Sequence, residues 1–162
     1  DGTYIRQEYN YKMLYPILYG IILQKDSKQQ LIELRKVIDL GILQEAMKQM
    51  GDQEFEELGI EIRNMEEEIK KKEPSSVKIF EADVRFHSVL VDVMKNDLLD
   101  SIAYYVDKIT RQTRVLTIDY MLERGHREEF VTLHRDMLDM LRNKREDQIP
   151  EIVERHYQYW EK

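Results

Sequence analysis

The sequence predicts an all-α protein, an antiparallel bundle of six helices preceded by a linker helix. Three observations predict it. Six Gly and three Pro in 162 residues are too few for a sheet protein built on tight turns, while Leu, Ile, Met, Glu, Lys and Arg dominate. Apolar residues recur at three- and four-residue spacing in successive segments. The segments are divided by short stretches containing Gly, Pro, Asn or Asp, and short connections make consecutive helices antiparallel neighbours.

Residues 1–6 contain a β-prone Thr3-Tyr4-Ile5 run after Gly2, which predicts a short strand. The stretch from Tyr11 to Leu23 is apolar on nearly all sides and carries Tyr11, Tyr15 and Tyr19 on one face, the pattern of a packed linker helix. Ser27 with Gln30 three residues on fits a capping box. The helix it opens places Leu31, Leu34, Ile38, Ile42 and Met47 on an apolar stripe, and Gly51-Asp52 ends it. Phe55, Leu58, Ile62, Met65 and Ile69 line a second helix, which Pro74-Ser75-Ser76 breaks. Phe80, Val84, His87, Leu90, Val91 and Met94 line a third. Asn96-Asp97 turns into a long fourth helix from Leu98 to about Leu122, ended by Gly125. The fifth carries Phe130, Leu133, Met137 and Leu141, and the polar run from Asn143 to Asp147 follows as a loop. Pro150 suits the first turn of a sixth helix bearing Ile152, Val153, His156 and Tyr159, since a missing N–H costs nothing there.

Composition closes off several function classes. The absence of Cys excludes disulfides and thiolate metal sites, so any metal must be held by imidazole nitrogen and carboxylate oxygen. A net charge of −7 without a long Lys/Arg cluster argues against direct binding to a phosphate backbone; Lys70, Lys71 and Lys72 sit among Glu67, Glu68 and Glu73. No apolar run approaches the roughly 18 to 20 residues of a membrane span, and no signal peptide is visible. A cytoplasmic protein without a membrane partner is the expectation. Because the first residue is Asp1 rather than Met, the chain is expected to be cut from a longer one or to have had its N-terminus removed.

Three of the four His, namely His87, His134 and His156, lie on three different predicted helices, on or beside the apolar face. Asp83 stands one turn before His87, so the two side chains share a helix face about 6 Å apart. Helix bundles build metal sites from inward side chains of this kind, and three imidazoles with one carboxylate suit Zn²⁺, Ni²⁺, Fe²⁺ or Mn²⁺. The same pattern also fits hydrogen-bonded core histidines and a surface Asp–His pair, and spacing does not choose between these. His126, in the turn beside Gly125, is expected to be a solvated loop residue.

The segment Asp83-Val84-Arg85-Phe86-His87-Ser88-Val89-Leu90, followed by Asn96 and Leu99, resembles the Asp-x-x-Phe-His-x-x-Leu…Asn-x-x-Leu signature of the FadR-type C-terminal (FCD) domain of bacterial GntR-type transcription regulators. Leu133-His134-Arg135-Asp136-Met137-Leu138 is similar to the family's Glu-His-x-x-Ile/Leu motif, and His156 follows twenty-two residues later, as the family's last ligand does. Glu33-Leu34-Arg35-Lys36-Val37-Ile38 resembles the opening of its first helix. Asp1-Gly2-Thr3-Tyr4-Ile5 is similar to the strand that closes the family's winged helix-turn-helix. This chain departs from the pattern at Leu133, at Met137 and at Pro150.

The resemblance divides the chain into residues 1–26, the end of the winged helix plus linker, and 27–162, the effector domain. It implies a helical bundle around a central cavity, with a divalent transition metal (zinc or nickel foremost, manganese or iron also admissible) held by Asp83, His87, His134 and His156. In the metal-binding subset that metal anchors a small organic acid, whose carboxylate a guanidinium would complete. Arg35 matches the family pattern, and Arg111 and Arg114 on the fourth helix are the other candidates. A homodimer is implied, contacting DNA only through the winged helix-turn-helix that would precede Asp1. The resemblance implies a sensor, not an enzyme. The alternative from another class is a mononuclear metalloenzyme in a helical bundle, against which stands the lack of a general base near the site. By helical phase, Glu81 points away from Asp83 and Asp92 away from His87.

Overall fold

The computed structural model describes Gly20 and residues 27–160. The strand expected over 1–6 and the linker helix over 11–23 therefore lie outside the described residues, Gly20 excepted, as does the Ser27 side chain proposed as a cap. Six α-helices follow: α1 (Ser27–Gln49), α2 (Asp52–Ile69), α3 (Ser76–Asp92), α4 (Asp97–Glu123), α5 (Arg127–Arg142) and α6 (Ile149–Tyr157). A 3-10 turn over Glu146–Gln148 stands in the segment expected to be a loop, immediately ahead of α6. The bundle expected from periodicity is thus the one observed.

Side chains and backbone at the helix ends explain where the helices stop and start. Asn96 caps α4, its Oδ1 accepting from the backbone N–H groups of Leu98 and Leu99 at 3.1 and 3.2 Å. Ser75 caps α3 by accepting from Lys78. At the end of α4, Gly125 takes φ +84°, which lets the His126 N–H reach back to the Met121 carbonyl at 2.9 Å. Pro150 occupies the first turn of α6, as expected.

The core is one continuous cluster. α2 packs on α3 and α5, α3 packs on α4, and α6 lies along α1. The stripes expected on α2, α3 and α5 are buried, with Leu58, Met65, Leu90 and Leu141 almost wholly enclosed; Val84 on α3 is half-buried, and Met94 lies past the end of that helix, also half-buried. On α1 the expectation needs correction. Leu34 is 42% exposed, and the inward face runs through Leu31, Ile32, Arg35, Asp39, Ile42, Leu43, Ala46 and Met47. Two charged residues hold core positions because each finds a charged or hydroxyl partner across the bundle, and apolar periodicity is blind to such partners.

Candidate metal centre and ligand cavity

α3 carries Asp83 and His87 one turn apart, α5 carries His134 and α6 carries His156. All four are buried, and one potential ligand atom from each lies within 4.8 Å of the others. The His134 Nε2 stands 2.8 Å from Asp83 Oδ1, the His87 Nε2 3.5 Å from the same oxygen, and the His87 and His156 Nε2 atoms 3.3 Å apart. Donor atoms around an ion with bonds of about 2.1 Å stand about 3.0 Å apart at a right angle and about 3.4 Å apart at the tetrahedral angle. These spacings fit such a donor set.

The hydrogen bonds sharpen that fit. The His134 Nδ1 lies 2.8 Å from the Phe130 carbonyl oxygen, which accepts only, so Nδ1 must bear the proton. Nε2 then faces the Asp83 carboxylate at 2.8 Å, a separation that a proton or a metal ion shared between the two satisfies. An outer hydrogen bond from the far nitrogen is also how metal-ligating histidines are oriented. Burial, followed by the neighbouring His134 and His87, pushes the His156 imidazole well below its usual pKa, which keeps it neutral and available as a ligand. Burial alone would raise the Asp83 carboxyl, but Arg114, His134 and His87 outweigh it and hold it well below the usual carboxylate range.

Behind Asp83 runs a chain of alternating charges. Arg114, 1% exposed, gives Nη2 to Asp83 Oδ2 and Nη1 to Asp107 Oδ1. The same Asp107 oxygen takes Nη1 of Arg35, whose Nε donates to the Tyr157 hydroxyl at 3.0 Å; Tyr157 in turn donates to Asp39. Burial opposes the charge on Arg35, yet Tyr157, Asp39 and Asp107 raise its pKa well above the usual value. Three carboxylates here face two guanidiniums, leaving one negative charge over. A divalent cation at the histidines would compensate it, and uncompensated buried charge is costly.

Beside the cluster lies a cavity of about 360 Å³, bordered by α1, α3 and α4. His87 is common to the cluster and the cavity wall, and Arg35, Asp107 and Arg111 also line it. The three arginines singled out in the sequence thus separate. Arg35 and Arg111 reach the cavity, whereas Arg114 is not among its lining residues and grips Asp83 and Asp107. Arg111 is half exposed and pairs loosely with Glu81 at 3.8 Å. His126 lies in the turn, as expected, with its side chain 41% exposed, and there it meets Glu129 at 3.0 Å and tilts against the Tyr159 ring.

With this geometry in hand, the comparison with known families is decisive. The FCD domain model matches residues 30–159, a span that contains all four clustered residues and the cavity. The chain belongs to the FCD domain family. It is also similar to the HTH-type transcriptional regulator LutR of Bacillus subtilis (strain 168), 24% identical over 113 residues, 70% of this chain and 50% of that protein. The chain spans about half the length of that curated relative. No solved structure matches it significantly. FCD membership carries the coarse functional statement of effector sensing in transcription regulation. Among the described residues of this FCD domain, no helix is long and apolar enough to cross a membrane.

Asp39, Asp107 and Tyr157 escaped the sequence reading. Their signals are weak but physical: Asp39 is one turn from Arg35, Asp107 is two turns from Arg114, and Tyr157 follows His156.

Proposed function

We propose that residues 27–162 form the effector-sensing domain of a GntR-type regulator, holding one divalent transition metal on Asp83, His87, His134 and His156. The single observation that carries the metal is the convergence of one carboxylate and three imidazoles in a buried cluster, one potential ligand atom from each within 4.8 Å of the others. Imidazole-rich sets favour Zn²⁺ or Ni²⁺, with Mn²⁺ and Fe²⁺ also admissible. The ion would supply a Lewis-acidic anchor for an anionic ligand. Around it this chain's own residues do the sorting: the cavity admits a small molecule beside His87, and Arg35 and Arg111 offer guanidiniums to a carboxylate.

Ligand occupancy would bias the packing of α1, α4 and α6, which the charge chain ties together, and so the placement of DNA-reading domains joined ahead of residue 27. The regulator works as a homodimer in this reading. α4 supports it: Ile102, Ile109 and Leu116 recur at seven-residue intervals on a face that also exposes Leu98 and Tyr120. Such a seam pairs with its own twofold copy. The domain is a sensor rather than an enzyme.

Elemental mass spectrometry of the purified domain tests the reading, beside a His134→Ala variant. The expected result is about one transition metal per chain, lost in the variant, with small carboxylates then shifting the melting temperature of the loaded protein only. No metal in the purified protein, and none taken up on adding Zn²⁺ or Ni²⁺, would overturn the four-ligand assignment.

A further inference from the structure

The cavity already contains a carboxylate where an organic acid would seek its guanidiniums. Nη1 of Arg35 and Nη1 of Arg114 converge on one oxygen of Asp107, each at 2.5 Å. Asp107 lines the cavity with Arg35, and its side chain retains 17% exposure. Arg114 is sealed beneath it and spends its other terminal nitrogen on Asp83. An acid entering from the cavity side therefore meets Asp107 before it meets Arg114.

We propose that Asp107 is a tethered competitor for the ligand's carboxylate: a small free carboxylate binds this domain by displacing the Asp107 side chain from between Arg35 and Arg114. The inference rests on the sensor reading above and adds the step by which the ligand engages. Its physical basis is the geometry of the grip. Asp107 offers a single oxygen to two guanidiniums, so neither pair is bidentate. A carboxylate free of the α4 backbone can give each guanidinium an oxygen of its own, where Asp107 makes them share one. The Arg114 Nε has no partner among the described residues and is a further donor within the same fork. The displaced Asp107 can turn toward the cavity water.

The exchange confers two properties. It sets a threshold, because a ligand must outbid a permanently present intramolecular rival. It also selects for acids, since an uncharged molecule of the same shape cannot replace the negative charge between the two arginines. Because Arg114 holds both Asp107 and Asp83, the metal-ligand carboxylate senses which carboxylate occupies the seat.

Acetate is the probe. Melting temperatures of the parent domain and of Asp107→Ala are followed against sodium acetate, with sodium chloride at equal ionic strength as control. Both are measured on zinc-loaded and on EDTA-stripped protein. The variant opens a carboxylate-sized gap, so acetate should raise its melting temperature saturably, with a midpoint about tenfold or more below that of the parent. Chloride should not reproduce the effect. Equal acetate midpoints in parent and variant, or an equal response to chloride, would overturn the proposal. Should circular dichroism show Asp107→Ala unfolded, Asp107→Asn keeps the shape while removing the charge, and the same comparison decides. The outcomes separate from those of the metal assignment. Acetate rescue in a protein that takes up no zinc would sink the four-ligand site and leave the seat standing; bound metal with equal midpoints would do the reverse.

Discussion

Asp83 holds a full negative charge where water scarcely reaches it, 2% exposed, and Arg114 is the chief reason it can. Removing that charge leaves Arg114 with Asp107 alone. Asp83→Asn is therefore expected to lower the unfolding free energy of the metal-free domain by about 3 kcal/mol, read from urea denaturation, since breaking one side of a buried pair strands the other. The variant should also take up no stoichiometric zinc. The direction of each pKa shift fixes a pH response. Asp83 titrates below its unfolded value, so its contribution is complete at neutral pH and disappears only as pH falls through the depressed value. His156 is also depressed, but it acts in a different window. The unfolded chain binds a proton near pH 6.5 that the folded ring refuses, so stability falls as pH drops below about 6.5. In metal-free protein this one residue should contribute a slope of up to about 1.4 kcal/mol per pH unit below that point. A His156→Gln variant whose stability declined as steeply as the parent's between pH 6.5 and 5 would contradict the assignment.

At the scale of the helices, caps and periodicity carry most of the information. Asn96 satisfies two N–H groups at the start of α4, the helix that bears Asp107 and Arg114. Asn96→Ala should cost about 1 kcal/mol in chemical denaturation, and Asn96→Asp close to nothing, because the carboxylate caps equally well. All six helices were legible from apolar spacing and their punctuation, most of their ends within a residue or two. The face of α1 was not. Leu34 looks like a core residue in the sequence, whereas Arg35 and Asp39 occupy that role in the bundle. Their burial depends on Tyr157 and Asp107, more than a hundred and about seventy positions further along the chain, respectively. No local pattern encodes a partner at that distance. The same reasoning accounts for Arg114, which on α4 alone is indistinguishable from the half-exposed Arg111 three residues earlier.

The molecule as a whole would couple metal binding to its stability, because the four proposed ligands come from three helices that only the fold brings together. Zn²⁺ at a hundred times its dissociation constant should stabilise the folded state by about 2.7 kcal/mol, a rise of several degrees in melting temperature. Loss of that rise in His134→Ala, with retention in Arg111→Ala, would place the ion at the cluster. An identical rise in both variants would place it elsewhere. By itself the sequence determined the helical class, the order of the helices, the FCD resemblance and the identity of four residues able to share an ion. Those follow from local spacing and from residue chemistry, both of which the chain carries in linear form. Only the tertiary structure decided that these four converge, that Arg114 faces the Asp83 carboxylate rather than the cavity, and that Asp107 already sits between the two arginines. The reason is burial: which charges may leave water is settled by the partners that packing brings within hydrogen-bond reach, and packing is a property of the whole bundle.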